Sequence, residues 1–407
     1  MKPYPHQLRF AALCYNMLKE KGYVYLAGKP RAGKTYTAIL TAEMSDKISS
    51  VLVLTKKAAI SGWHKFTQIP SLKHSYHVTN YEQVGTIKGG VYHLKLNPED
   101  YDLVIIDESH NLGTLGRPNN RIRCIKKLCY DMPHIHLSGT AIVESPNSIY
   151  YQMSISKYNP FRYRTFYDFF RDYGVPSYIK VHGNQIAQYH RYRPELLEEI
   201  DDFTIYMTQE DAGISKDVQA VDKVHYVTLD DKTRDFYNTI QKRLIHQFDN
   251  GLELVCDSTM KLRTSLHMIE SGVVKVDDNY LMLGNTEKVD YIKNTFGDTE
   301  EVGIMCHFIG EKKLLQKHFK RASIYSSSAH AEGTDLSHLK HFVIMSSDYS
   351  GAKFIQRRER IINTNGSNTL TVNHILVKKA ISEQVYKRVS KKQDFNNSTY
   401  LQSRQDI

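Results

Sequence analysis

The chain has 407 residues, of which 41% are hydrophobic, and a formal net charge of +10. That is enough apolar material for two or three buried cores, and the basic excess favours a polyanionic partner through counterion release. No apolar stretch reaches membrane-spanning length and the first residues lack a signal-like apolar core, which leads to the expectation of a soluble, intracellular protein.

The first element to stand out is a short apolar run, Val24-Tyr25-Leu26-Ala27, that reads as a buried strand. It leads into Gly28-Lys29-Pro30-Arg31-Ala32-Gly33-Lys34-Thr35, a complete Walker A pattern, and then into a breaker-free helical stretch from Tyr36 to Ala42. In such a loop the glycines let backbone N–H groups turn toward phosphates at a helix N-terminus, whose partial positive charge favours anions. Lys34 is expected to reach the β- and γ-phosphates of ATP, and Thr35 to place its hydroxyl on Mg²⁺. Gly28 and Gly33 supply the turns.

Val51 to Leu54 reads as a second strand, and Leu103-Val104-Ile105-Ile106 as a third, ending in Asp107-Glu108-Ser109-His110. Parallel sheets place ligands at the carboxyl ends of their strands, so Asp107 is expected to hold Mg²⁺ and Glu108 to orient and deprotonate an attacking water. The basic stretch Gly116 to Arg123 that follows is either a DNA contact or a plain surface turn. His134 to Leu137 gives a further strand. Between Asn147 and Phe203 lies an aromatic and basic region that includes Phe161, Phe166, Phe169 and Phe170, read as the core of a helical insertion, with base-stacking platforms as the alternative.

The best break in the chain is the polar segment from Thr208 to Lys223. Beyond it Val302 to Met305, Phe342 to Met345 and Leu370 to Val377 supply a second set of strands. The repeated strand-then-helix order implies two parallel-sheet α/β lobes, residues 1–212 and 213–407, with the helical insertion late in the first at about 147–203. Cys14, Cys124, Cys129, Cys256 and Cys306 include no CxxC pair, so neither a disulfide framework nor a zinc site is indicated. The histidines, including His6, His64, His74, His77, His134 and His136, show no ligand frame and read as scattered surface or core residues.

The order of these boxes resembles helicase superfamily two over nearly the whole chain, and within it the Swi/Snf-like ATPases, particularly their compact phage-encoded members. Tyr4-Pro5-His6-Gln7 resembles the glutamine box, which implies that Gln7 reads adenine. Val51 to Lys57 with Trp63 resembles motif Ia and Val78-Thr79-Asn80-Tyr81-Glu82 motif Ib; by resemblance Lys56, Lys57, Thr79 and Asn80 touch the nucleic-acid backbone. His136-Leu137-Ser138-Gly139-Thr140-Ala141 is similar to motif III, which links the ATP site to the track. In the second lobe Val302 to Leu315 resembles motif IV, Ser328 to Leu336 motif V, and Gln356-Arg357-Arg358-Glu359-Arg360 motif VI. The resemblance implies a nucleic-acid contact at Ser328, nucleotide contacts at Gly333, Asp335, Gln356 and Arg357, and an arginine finger at Arg360. Asn363 departs from the pattern, standing where a second arginine is expected. Ile381, Val385 and Val389, at helical spacing, suit the helix that closes this family's second lobe.

Taken together, the resemblance implies tandem RecA-like P-loop NTPase lobes and an ATP- and Mg²⁺-dependent translocase or helicase, acting as a monomer on duplex or branched DNA in the cytoplasm. It leaves room for a protein partner in replication, recombination or transcription, and no membrane is involved. Two alternatives stay open: an ATP-gated nucleic-acid clamp with little turnover, and a remodeller that displaces a DNA-bound protein such as a polymerase.

Overall fold

The computed structural model describes residues 2–29, 31–139, 145–181, 184–213, 221–326, 339–351, 354, 371–391 and 395. The chain divides into two compact units, Met1–Lys216 and Asp217–Ile407.

Unit one opens with helix α1 (Pro5–Lys21), strand β1 (Tyr23–Gly28), α2 (Lys34–Glu43), β2 (Ser50–Thr55), α3 (Ile60–Thr67) and β3 (Ser75–Asn80). A hairpin of β4 (Gly85–Lys88) and β5 (Val91–Leu94) precedes β6 (Leu103–Asp107), α4 (Asn120–Cys129) and β7 (His134–Ser138). Next come α5 (Ile149–Met153), α6 (Phe166–Tyr173), a hairpin of β8 (Ser177–Val181) and β9 (Asn184–Gln188), α7 (Glu195–Asp201) and β10 (Thr204–Met207). Six of these strands form one sheet in the order β10-β1-β7-β6-β2-β3, and every adjacent pair is parallel. Such a sheet is covered on both faces, which is why β1, β2, β6 and β7 are almost wholly buried and legible as apolar runs.

Two core clusters lie on its two faces. Alternate residues of β1 divide between them, Tyr23 and Tyr25 to one and Val24 and Leu26 to the other, as the two-residue period of a strand requires. His134 and His136 are core histidines: His134 Nε2 donates to the Cys129 carbonyl at 2.9 Å, and burial pushes its imidazole down to about 4. The five cysteines are all buried, and burial raises the Cys14 thiol to about 12.

The insertion late in unit one contains α5, α6 and α7, and it also carries the β8–β9 hairpin. Its phenylalanines are the core of that insertion rather than stacking platforms: Phe161, Phe166, Phe169 and Phe170 are buried, with Tyr150 and Phe169 centroids 4.9 Å apart. Tyr167, by contrast, is exposed. Thr165 caps α6, its Oγ1 accepting from the Asp168 amide at 3.2 Å.

Unit two contains β11 (Val221–Val227), α8 (Asp231–Arg243), β12 (Ile245–Gln247), β13 (Glu253–Val255), α9 (Thr259–Ile269), β14 (Val273–Val276), β15 (Asn279–Met282) and α10 (Glu287–Phe296). It continues through β16 (Val302–Cys306), α11 (Ile309–His318), β17 (Ser323–Ser326), β18 (His341–Ile344), β19 (Thr371–Val377) and α12 (Ile381–Val389). Its five-stranded sheet runs β11-β19-β18-β16-β17, again parallel throughout. The chain is thus two tandem RecA-like α/β lobes. Ile381, Val385 and Val389 of α12 are fully buried in the second core, as their spacing predicts.

A buried charged group sits inside unit two. Lys288 Nζ lies 3.5 Å from Glu270 Oε2 and donates to the Met345 carbonyl at 3.2 Å, while Glu270 Oε1 accepts from the Ser382 amide at 3.1 Å. Glu311, in the first turn of α11, accepts from the amides of His307 and Phe308 at 3.1 and 2.9 Å and so satisfies donors that the helix start leaves over. Burial raises both carboxyls above their ordinary range, with Lys288 opposing it, and lowers His267 well below the usual imidazole value. No helix among the described residues is long and apolar enough to cross a membrane.

Candidate functional site

β1 ends at Gly28 and α2 begins at Lys34, so the Gly28–Thr35 loop joins the carboxyl end of a buried strand to a helix N-terminus. Gly33 takes the N-cap position at φ +91°, left-handed backbone that favours glycine. A Cβ there would stand 2.5 Å from Gln7 Nε2, and one at Gly28 would stand 2.5 Å from the Lys34 side chain. The two glycines therefore make room for specific neighbours as well as for the turn. Lys34 Nζ donates to the Gly28 carbonyl at 2.7 Å, which holds the ammonium against the mouth of the loop. Thr35 is half-buried on the first turn of α2, and Pro30 lies outside the described residues.

The start of α1 packs onto this loop. His6 Nε2 donates to the Ala32 carbonyl at 3.1 Å, and Gln7 Nε2 to the Gly33 carbonyl at 3.4 Å. Gln7 is buried, and its Oε1 accepts from the Tyr4 amide at 2.9 Å. Beside it opens a cavity of about 470 Å³ lined by Pro5, His6, Arg9, Thr208, Glu210 and Asp211. Asp211 Oδ2 accepts from the Thr208 amide and hydroxyl at 2.9 and 2.8 Å, and Arg9 meets Oδ1 at 2.6 Å. Those Thr208 bonds, with Arg9 assisting, hold the Asp211 carboxyl below its usual range. This wall of the cavity falls within the polar stretch that reads in sequence only as a break, because Arg9 and Asp211 are 202 residues apart.

Sheet order does the rest. β7 lies between β1 and β6, with Ser138 opposite Ala27 and Leu137 opposite Asp107, so the loop, Ser138 and Asp107 sit side by side at the carboxyl ends of three adjacent strands. Asp107 is buried. Its Oδ2 accepts from Thr55 Oγ1 at 2.8 Å and from Trp63 Nε1 at 2.9 Å, and no described residue donates to Oδ1. A carboxylate with one oxygen held by two donors and the other left open fits a cation ligand. Glu108 follows in left-handed backbone, φ +51°, a strained conformation for a non-glycine residue that turns the chain sharply into the 3₁₀ turn Ser109–Leu112. His110 Nδ1 lies 3.3 Å from Glu108 Oε2 and 2.9 Å from Ser138 Oγ, joining the acidic box to the end of β7. Ser109 Oγ donates to Tyr25 Oη at 2.7 Å, and Tyr25 donates in turn to Gln152 Oε1 at 2.8 Å, so a polar chain runs on from the acidic box to α5.

Lys56 and Lys57 follow directly on β2, the first half-buried and the second exposed. Thr55 pairs with Asn80 across the β2–β3 ladder, which brings Thr79 and Asn80 to the same edge as the two lysines. Thr79 is half-buried there, and Asn80 is buried with its Oδ1 accepting from the Glu82 amide at 3.1 Å. In the Gly116–Arg123 stretch, Asn119 caps α4 and Arg121 donates to the Asn111 carbonyl at 2.9 Å, so this loop is tied back to the turn after Glu108. Ser328, Gly333, Asp335, Gln356, Arg357, Arg360 and Asn363 lie outside the described residues, as does Thr140. Sequence reading did not find Thr55, Arg9, Thr208, Tyr25 or Gln152 as partners of the site, and it placed Trp63 only within a motif.

No protein-family model matches the chain, and no curated protein matches it. Among solved structures it is similar to the SWI2/SNF2 ATPase core domain of Sulfolobus solfataricus, with 14% sequence identity, a TM-score of 0.43, and coverage of 96% of this chain and 90% of that one. The fold assignment above stands on the order and direction of the two parallel sheets.

Proposed function

We propose that the chain is a nucleic-acid-stimulated ATPase of the Swi/Snf-like type, which couples ATP hydrolysis to movement along duplex or branched DNA. The placement of the Gly28–Thr35 loop and Asp107–Glu108 at the carboxyl ends of the two parallel strands that flank β7 is its main support. In this reading the loop amides and Lys34 take the phosphates, and the cavity beside Gln7 takes the base. Thr35 and Asp107 are the residues that would hold Mg²⁺, which when bound neutralises charge building on the phosphates. Glu108 takes a proton from the attacking water, and its contact with His110 ties that proton-accepting group to Ser138 and the end of β7. Gly333, Asp335, Gln356 and Arg357 are assigned to the nucleotide and Arg360 to the γ-phosphate by the family's pattern in motifs V and VI.

Lys56, Lys57, Thr79, Asn80 and Ser328 are assigned the DNA backbone. Phosphate contacts make binding salt-dependent and sequence-tolerant. Substituting Lys56→Ala and Lys57→Ala together is expected to weaken duplex binding to a similar degree on unrelated sequences and to flatten the slope of log K against log salt by about 2. Fluorescence anisotropy over a salt series checks this; an unchanged slope removes the two lysines from the track.

A further inference from the structure

Trp63 is the only tryptophan of the chain, and it is 2% exposed. Its indole N–H is spent on one acceptor, Asp107 Oδ2, at 2.9 Å. The Thr55 hydroxyl donates to the same oxygen at 2.8 Å, and the Tyr81 hydroxyl donates to the backbone carbonyl of Asp107. The origin of these donors is informative. Thr55 is the last residue of β2, Lys56 and Lys57 come next, and Trp63 lies on α3 immediately after. Tyr81 follows Thr79 and Asn80 at the end of β3. All three donors thus sit on the two segments that carry the lysines and the Thr79–Asn80 pair.

We propose that Thr55 and Trp63 are positioning residues that set the orientation of the Asp107 carboxylate, and that nucleic-acid phosphate bound at Lys56 and Lys57 acts on the metal-holding group through them. The proposal rests on the reading of Asp107 as the Mg²⁺ ligand. Physically, two donors converging on Oδ2 fix the plane of the carboxylate and keep Oδ1 outward, and a small shift of the β2–α3 turn changes both bonds together. An indole in van der Waals packing alone would impose no such direction. Partners that orient a ligand in this way commonly contribute 10- to 100-fold to metal affinity.

The lone tryptophan makes the bond observable. In the full-length wild-type protein, titrating Mg²⁺ in the presence of ADP is expected to change Trp63 emission, and adding duplex DNA to change it again. Asp107→Asn abolishes the first response, and the double substitution Lys56→Ala/Lys57→Ala abolishes the second. Trp63→Phe keeps the ring packing and removes the donor; it is expected to raise the Mg²⁺ concentration for half-maximal ADP binding, read by equilibrium dialysis, by about 10- to 100-fold. Thr55→Val against Thr55→Ser gives an independent arm, since only the serine variant retains the hydroxyl and should restore wild-type Mg²⁺ dependence.

Mg²⁺-dependent ADP binding with silent Trp63 emission, and wild-type Mg²⁺ dependence in Trp63→Phe and Thr55→Val, overturns the positioning role while leaving the ATPase reading intact. ADP binding that never depends on Mg²⁺ or Asp107 in the wild type overturns the underlying reading instead. A DNA-independent Trp63 signal in a protein that binds DNA through Lys56 and Lys57 overturns the coupling.

Discussion

Glu108→Gln is expected to lower kcat for ATP hydrolysis by about 10²- to 10⁴-fold and to leave Mg²⁺·ATP binding close to wild type. The substitution is nearly isosteric, and glutamine tolerates the left-handed backbone at this position no worse than glutamate does. What changes is basicity: the amide cannot take a proton from water. The 3.3 Å contact between Glu108 and His110 becomes a neutral one, which leaves Ser138 and the end of β7 in register with the loop. Because the effect falls on the proton transfer, it belongs in the chemical step, and single-turnover rates measured beside nucleotide affinity separate the two. A variant that hydrolyses ATP at the wild-type rate removes Glu108 from the chemistry and moves attention to another carboxylate.

Lys288→Met is expected to destabilise unit two by about 3–5 kcal/mol, because it leaves Glu270 buried without its cation. The methionine has a comparable length, so lost packing is a minor part of the change. The loss has a pH signature. Burial already raises Glu270 above the ordinary carboxyl value of 4.5, and without Lys288 it rises further. A carboxyl that holds its proton more tightly folded than unfolded adds stability at low pH, and that contribution is lost as pH rises through the folded value. His267 moves the same way, since Lys288 also opposes its protonation in the wild type. The deficit is therefore largest at neutral pH and shrinks on acidification toward pH 5. Urea-dependent hydrogen exchange of α9 and α10 at the two pH values reads unit two specifically. A deficit that is equal at both, or absent, contradicts the pairing.

The fold was legible where strands are buried on both faces. β1, β2, β6 and β7 read as continuous apolar runs and were located to within a residue or two. β3, β10 and β11 were not, for a physical reason: each is an outer strand of its sheet, and exposed positions such as Tyr206 and Lys223 dilute the pattern. The short hairpins were missed because their three- to five-residue strands lack the continuous apolar runs that mark β6 and β7. The insertion's aromatic core was the favoured sequence reading, and the ring contacts explain it: Phe166 to Tyr173 forms a helix that buries Phe166, Phe169 and Phe170 along one stripe.

In the candidate site, the position of the loop between β1 and α2 and of the acidic box at the end of β6 was legible, because each directly follows an apolar strand run. The supporting shell was not. Trp63 and Asp107 are 44 residues apart and meet only because β2 and β6 are neighbours in the sheet. Tyr25 and Gln152 are separated by 127 residues and meet for the same kind of reason. A side chain that reads as apolar in sequence, such as Trp63, gives no hint that its one polar atom has a specific acceptor.

The most direct test is steady-state ATP hydrolysis by the full chain with no nucleic acid, single-stranded DNA, duplex DNA and a forked junction, at fixed low salt. The account predicts slow basal turnover and strong stimulation by duplex or forked DNA. Tight ATP and DNA binding with negligible turnover on every form would contradict it and establish a nucleotide-gated clamp in its place.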